Sequence, residues 1–464
     1  MGMGIGIRTR GTRSTHMDAV AVTAATPATR DRYMDLLRVA SLATVVLGHW
    51  LMAAVSVGAD GTAGVGNLLA LRPGLQPLTW VLQVMPVFFF VGGFSHALSY
   101  RSVSRKLAGR GVYAAFLRAR LQRLLRPTAV FVAVWGAGAL ILQLTDSGGD
   151  LAGVAARLVA QPLWFIGIYL AMVAFTPPLL RLHERWGWWA FAGLVGAAAA
   201  VDVLRFAGGV PYVPFLNFAF VWLAVHQLGF LRADGKLTRP ALLAVAGLAG
   251  AAVLVAFGPY PLSMVGMPGE RISNMAPPTF ALLCHGMWLV GAVELLRRPG
   301  ARLLERPRAW RAVVVANGIA MTAFLWHLTA MLGVYAVMLA AGLGLPAPGS
   351  GAWWAQVPPR MAVAAGLTAA LVALFRRAER PPAARPPAPP ARWSGPAAAL
   401  GVTLALFGVL GLSIVGFGGL LDGHTAVLIA VRITAPTAVA MALAGWALVE
   451  AAGGLFIRRG AVRR

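Results

Sequence analysis

"RYMDLLRVASLATVVLGHW", residues 32–50, has the apolar run of a membrane-crossing helix, yet it carries Asp35 and Arg38 at one end and His49 at the other. A helix needs roughly 20 mostly apolar residues to span a bilayer, and ionisable side chains within it are costly unless they face a cavity or a partner. At about 100° per residue, Arg38 and His49 fall within roughly 20° of each other, and Asp35 and His49 within roughly 40°. All three therefore share one face, with about 16 Å of rise between Arg38 and His49. This predicts a polar stripe running inward from the membrane surface along a cavity. A neutral His there is a ready proton acceptor. The same residues also fit a plain interhelical hydrogen bond with a snorkelling Asp–Arg pair at the surface, and periodicity leaves both open.

The rest of the chain extends this reading. Of 464 residues, 59% are hydrophobic and 12% charged, far from the balance of a soluble domain. Apolar runs predict twelve spans, at about 34–58, 77–100, 127–145, 161–181, 187–204, 214–231, 240–258, 278–296, 313–342, 358–375, 397–418 and 426–456. The expected fold is an all-α, polytopic helical bundle. A Pro-rich stretch, "RRAERPPAARPPAPPARW" (376–393), cannot continue a helix and splits the bundle into ten helices and two. The expected organisation is a polar, disordered cytoplasmic tail (1–31), a ten-helix core (32–376), a cytoplasmic linker (377–396) and a two-helix appendage with a basic tail (397–464).

A net charge of +25 would point to nucleic acid in a soluble chain, but here the cations sit in short loops. Loops on one side hold 33 of the 40 Lys and Arg residues; the other side holds Arg72, Arg157, Arg205, Arg271 and Arg360, while Arg38 and Arg432 are expected within helices. The positive-inside rule places the crowded side, and both termini, in the cytoplasm. The preponderance of Arg over Lys, with abundant Ala and Gly, fits a GC-rich bacterial genome, hence a bacterial cytoplasmic (inner) membrane. The one cysteine, Cys284, rules out an intrachain disulfide and a thiolate metal site. The scattered histidines show no metal-ligand spacing, so no metal is expected. Neither a phosphate-binding Gly-rich loop nor a Ser-centred nucleophile elbow stands out.

Several motifs together resemble the acyltransferase-3 family of bacterial membrane acyltransferases. Arg38 and His49 match that family's Arg, ten residues, then His in the first helix. "MPVFFFVGGFSHALSYRS" (85–102) looks like its second helix, and "RARLQRLLRP" (118–127) supplies its Arg-x-x-Arg pattern as Arg120 and Arg123. "PLWFIGIYL" (162–170) and "MTAFLWHLTAM" (321–331) are similar to later landmarks, so the resemblance spans about residues 32–376.

The resemblance implies transfer of an acyl group, often acetyl, from cytoplasmic acyl-CoA to a hydroxyl or amine of a glycan, lipid or secondary-metabolite acceptor. It implies His49 as the catalytic residue, supported by Asp35, with Arg38, Arg120 and Arg123 in donor binding; the sequence leaves open whether His49 is a base or a nucleophile that carries the acyl group. Taken alone, Arg120 and Arg123, three apart on a helix and facing the same way, could clamp phosphates but read more readily as positive-inside ballast. Trp164 and Asn317 are candidates to polarise the carbonyl, and His327 to join His49 in the cavity; His96, His226 and His285 read as structural, and His16, His183 and His424 as tail or loop residues. Membrane lipids, acyl-CoA and the acceptor are the expected partners. A transporter or flippase would share the span count and the intramembrane His, but would be expected to show internal repeats and broken helices, which the sequence lacks.

Overall fold

A computed structural model describes residues 30–57, 63–107, 111–145, 150–379, 393–421 and 423–454. Most of the expected N-terminal tail, most of the Pro-rich linker and the basic C-terminal tail lie outside the described residues. The long helices are α1 (Arg32–Met52), α2 (Met85–Leu107), α3 (Val112–Leu144), α4 (Leu163–Trp186), α5 (Trp188–Phe206), α6 (Asn217–Ala233), α7 (Pro240–Phe257), α8 (Phe280–Leu295), α9 (Ala320–Ala340), α10 (Gly351–Phe375), α11 (Ser394–Val415) and α12 (Ala435–Gly454). The protein is a polytopic all-α membrane protein. Eleven helices among the described residues are long and apolar enough to span alone, and α8 makes twelve when joined, across a 48° bend, to the short helix Arg297–Glu305.

Packing shows that α8 does cross. Asn317 just before α9 meets the Asp35 carbonyl, Trp50 meets the His327 carbonyl, and Tyr335 meets the Ala53 carbonyl. The pairs ascend together, so α1 and α9 run parallel. Parallel helices in one bundle need an odd number of crossings between them, and α2 to α8 supply seven only if α8 counts.

Two hairpins interrupt the helices, β1 (Ala53–Val57) with β2 (Ala63–Asn67) and β3 (Thr425–Leu428) with β4 (Val431–Thr434), both antiparallel. The second corrects the expected last span: Arg432 is an exposed strand residue opposite Val427, not a helical one. Its run of β-branched residues satisfies its backbone across the ladder, and α12 begins only at Ala435. Three other expectations also change. α3 begins at Val112, fifteen residues before the expected 127, so the charged stretch Arg118 to Arg126, with Arg120 and Arg123 on a helix as expected, is continuous with the span. α10 begins at Gly351, which puts Arg360 nine residues inside a span. His183 sits within α4, wholly buried, instead of in a loop.

Close helix contacts are made by glycine, as expected where only packing drives association in lipid. A Cβ on Gly93 of α2 would collide with the His226 carbonyl of α6, and one on Gly229 of α6 with the Phe90 carbonyl of α2. The appendage of α11 and α12 docks on the core, with Gln122 of α3 donating to the Glu450 carboxylate at 2.9 Å and Arg126 pairing with it at 3.5 Å.

Candidate active site

α1 starts where Asp31 caps it, accepting hydrogen bonds from the Tyr33 and Met34 amides, which satisfies donors the first turn would leave bare. One turn on, Asp35 is buried and lies between two guanidinium groups, Arg30 Nε at 2.6 Å and Arg38 Nη1 at 3.1 Å. Arg38 reaches past it to α2, donating from Nη2 to Ser95 Oγ at 2.8 Å. Arg120 of α3 donates to the carbonyl of the same Ser95 at 2.9 Å. Two guanidinium groups from different helices therefore converge on one residue, and only Arg38 has a carboxylate partner among the described residues. Cations held together with so little neutralisation form a natural seat for phosphates. Arg123 is exposed on the outer side of α3 and does not join this pair.

Beside Ser95, His96 bonds His226 at 3.0 Å and the Tyr169 hydroxyl at 2.9 Å, so a second polar cluster abuts the two arginines. Ser95 and Tyr169 carry no signal in the sequence: one is a lone Ser in an apolar run, the other a Tyr in an aromatic stretch. His96 and His226, read as structural, are fully buried within it. This cluster does not extend to His285, which instead faces the Trp80 carbonyl at 3.0 Å.

The far end of the stripe holds His49. Its Nδ1 lies 2.8 Å from Nε2 of His327 on α9, with the two rings 5.0 Å apart and tilted by 10°. The other ring nitrogen of His327, Nδ1, faces the Phe324 carbonyl. A carbonyl can only accept, so His327 Nδ1 carries a proton. A neutral His327 then has a bare Nε2, and the hydrogen bond requires His49 Nδ1 to be the donor. The lone pair of His49 Nε2 is thereby left for chemistry. Trp50 fixes the backbone here, its indole donating to the His327 carbonyl at 2.9 Å.

An aromatic wall leads away from this pair: Phe324 touches His327, Phe165 packs edge-on to Phe324, and Trp164 edge-on to Phe165. Trp164 is two rings from His327. Asn317 lies near the Asp35 carbonyl at 3.5 Å, about 21 Å of helix rise from His49. The structure thus joins His49 with His327, and Asp35 with Arg38 and Arg120; it keeps Arg123 and Trp164 apart from either group and puts Asn317 at the Asp35 backbone, far from His49. Among the described residues no group of three or more His, Cys, Asp or Glu side chains is placed to hold a metal ion.

The stripe along α1 therefore runs from two clustered arginines at one end to a histidine pair with a fixed tautomer at the other. The acyltransferase-3 family model, described as an acyltransferase domain, matches residues 31–377. The chain belongs to the acyltransferase-3 family. The match covers three-quarters of the sequence and contains both ends of the stripe, while α11 and α12 lie beyond it. No curated protein and no solved structure matches the chain. The protein is a membrane acyltransferase in general terms, and the residues just described are where its chemistry is to be sought.

Proposed function

We propose that this protein is an O-acyltransferase of a bacterial cytoplasmic membrane that takes an acyl group, acetyl in the simplest case, from cytoplasmic acyl-CoA. The acceptor is a hydroxyl of a glycan, lipid or secondary metabolite, and both chain termini lie in the cytoplasm. The observation that carries this reading is the His49–His327 pair, whose hydrogen-bond acceptors leave the His49 Nε2 lone pair free.

Arg38 and Arg120 hold the phosphates of coenzyme A at the basic end, with Asp35 keeping Arg38 in place. The pantetheine arm follows the stripe along α1 and brings the thioester to His49. As the acceptor oxygen attacks the carbonyl carbon, His49 Nε2 takes its proton; the new C–O bond forms and a tetrahedral oxyanion develops. His327 accepts the Nδ1 hydrogen bond, which strengthens as His49 becomes an imidazolium. The C–S bond then breaks, and the departing thiolate recovers the proton from His49. Neither step consumes a metal or redox cofactor.

The count of 33 basic residues on one side supports the orientation, since that side also carries Arg38 and Arg120. The test is a donor-side one. Purified protein in nanodiscs, given radiolabelled acetyl-CoA and host membrane extract, releases coenzyme A in step with label transfer. The Arg120→Ala variant raises the KM for acetyl-CoA at least several-fold. Unchanged KM values in both Arg38→Ala and Arg120→Ala would overturn the donor assignment.

A further inference from the structure

On the opposite side of His49 from the two donor arginines lies a crevice between α1, α9 and α10, lined by Trp50, Met331, Val334 and Met361, with Arg360 and Tyr335 as its polar groups. Arg360 is about 14 Å inside α10 by helix rise. An arginine at the mouth of the apolar run that begins at 358 calls for a counterion, a lipid headgroup or a function. Among the described residues it has no carboxylate partner. Its three hydrogen bonds all go to neutral acceptors: Nη1 to the Tyr335 hydroxyl at 2.8 Å, Nη2 to the Trp353 carbonyl at 3.2 Å and Nε to the Gln356 carbonyl at 3.3 Å. The Trp353 and Tyr335 rings flank the guanidinium, 4.8 and 5.7 Å from its centre.

A guanidinium has five N–H donors in a planar fork. The three bonds use Nε and one hydrogen on each terminal nitrogen, so one hydrogen on Nη1 and one on Nη2 remain. Two unspent donors on a fixed cation are what phosphate oxygens accept from. The surrounding packing holds the fork still. Tyr335 is itself tied to the Ala53 carbonyl at 3.0 Å, and the Ala53 amide bonds the His49 carbonyl. Arg360 is thus linked by three hydrogen bonds to the backbone of His49, about one helical turn beyond it.

We infer that this crevice binds the phosphate of an anionic membrane lipid on Arg360, on the acceptor side of His49. A lipid is favoured over a soluble anion because the walls are apolar and α10 is peripheral, with Val363 half exposed on its outer face. The crevice itself holds little more than a water molecule, so the acyl chains lie against the exposed outer face of α10 while the phosphate meets the fork at the crevice mouth. That the site serves the acceptor rests on the proposed acyl transfer; that it binds a lipid phosphate does not.

The test uses the full chain in nanodiscs of equal phosphatidylcholine and phosphatidylglycerol, with retained lipids read by native mass spectrometry. The wild type retains phosphatidylglycerol over phosphatidylcholine by about tenfold: both carry the phosphodiester, but the choline ammonium cancels its charge beside a guanidinium that lacks a carboxylate partner among the described residues. Arg360→Gln brings the ratio near one, Arg360→Lys keeps part of the preference, and Arg271→Gln, on a loop elsewhere, leaves it unchanged. A wild type with no preference overturns the inference without reference to any variant. So does loss of the retained lipid to millimolar inorganic phosphate, which would make the ligand a soluble anion. Because the readout needs no turnover, failed lipid retention with intact His49-dependent transfer refutes this inference alone, whereas retention without any transfer refutes the proposed function alone.

Discussion

Replacing His327 separates a positioned base from a merely buried histidine. In the wild type, His49 Nδ1 donates to His327 Nε2 at 2.8 Å, and the Phe324 carbonyl holds His327 in the tautomer that accepts. His49 gains a positive charge in the transition state, so that bond then counts as one to a charged group, worth about 1.5–3 kcal/mol. Its loss in His327→Ala lowers kcat by roughly ten- to a hundredfold at about 1.4 kcal/mol per decade, with the KM for acetyl-CoA unchanged because the donor cations are distant. His327→Gln restores an acceptor oxygen and recovers part of the rate. His327→Lys presents only donors, forces the proton of His49 onto Nε2 and is slower than His327→Ala. The assay is steady-state acetyl transfer in nanodiscs, with thermal unfolding monitored to exclude collapse of the cavity. Rates within twofold of wild type for a folded His327→Ala, or a Lys variant faster than the Ala variant, would refute the tautomer argument.

Other outcomes follow from the same geometry. Asp35→Asn removes the carboxylate that steadies Arg38; since Arg38 is partly exposed, the effect is about 1 kcal/mol, read as a several-fold rise in the KM for acetyl-CoA with kcat nearly unchanged. Gly93→Val drives a side chain into the His226 carbonyl and costs about 1–3 kcal/mol or more, visible as a lower unfolding temperature. Asp234, just past the end of α6, gives a pH dependence. Burial alone would raise its pKa, but hydrogen bonds from Arg101 and His183 outweigh burial and hold it below the usual carboxylate value. A carboxyl with a depressed folded pKa stabilises fully above its unfolded value of about 3.9 and loses that contribution as the pH falls through the folded one. Stability therefore drops below about pH 4, and Asp234→Asn flattens that part of the unfolding-versus-pH curve.

The first helix was legible because the eleven-residue interval from Arg38 to His49 brings two costly side chains back to one face. The span count was legible because apolar length is set by the bilayer. Basic residues misled at the helix ends. "RARLQRLLRP" reads as a helical segment of the loop, separate from the span, yet Arg, Leu and Gln are good helix formers and α3 simply runs on through it. The same bias placed His183 in a loop, whereas α4 continues to Trp186 and buries that imidazole against Asp234 at 3.0 Å. At Arg432 the error ran the other way, because an apolar β-branched run fits a strand as readily as a span. Ser95 was invisible: its importance comes from Arg38 and Arg120, 57 and 25 residues away in sequence. The partnership of His49 with His327 lay within reach as two intramembrane histidines, but the order of donors and acceptors between them belongs to the fold.

The most direct measurement is label transfer from radiolabelled acetyl-CoA by the wild type and His49→Ala in matched nanodiscs, with host membrane extract as the acceptor source. Transfer to an extractable product by the wild type, abolished in a folded His49→Ala that still binds acetyl-CoA, is the result this account predicts. Transfer that persists in His49→Ala would contradict it.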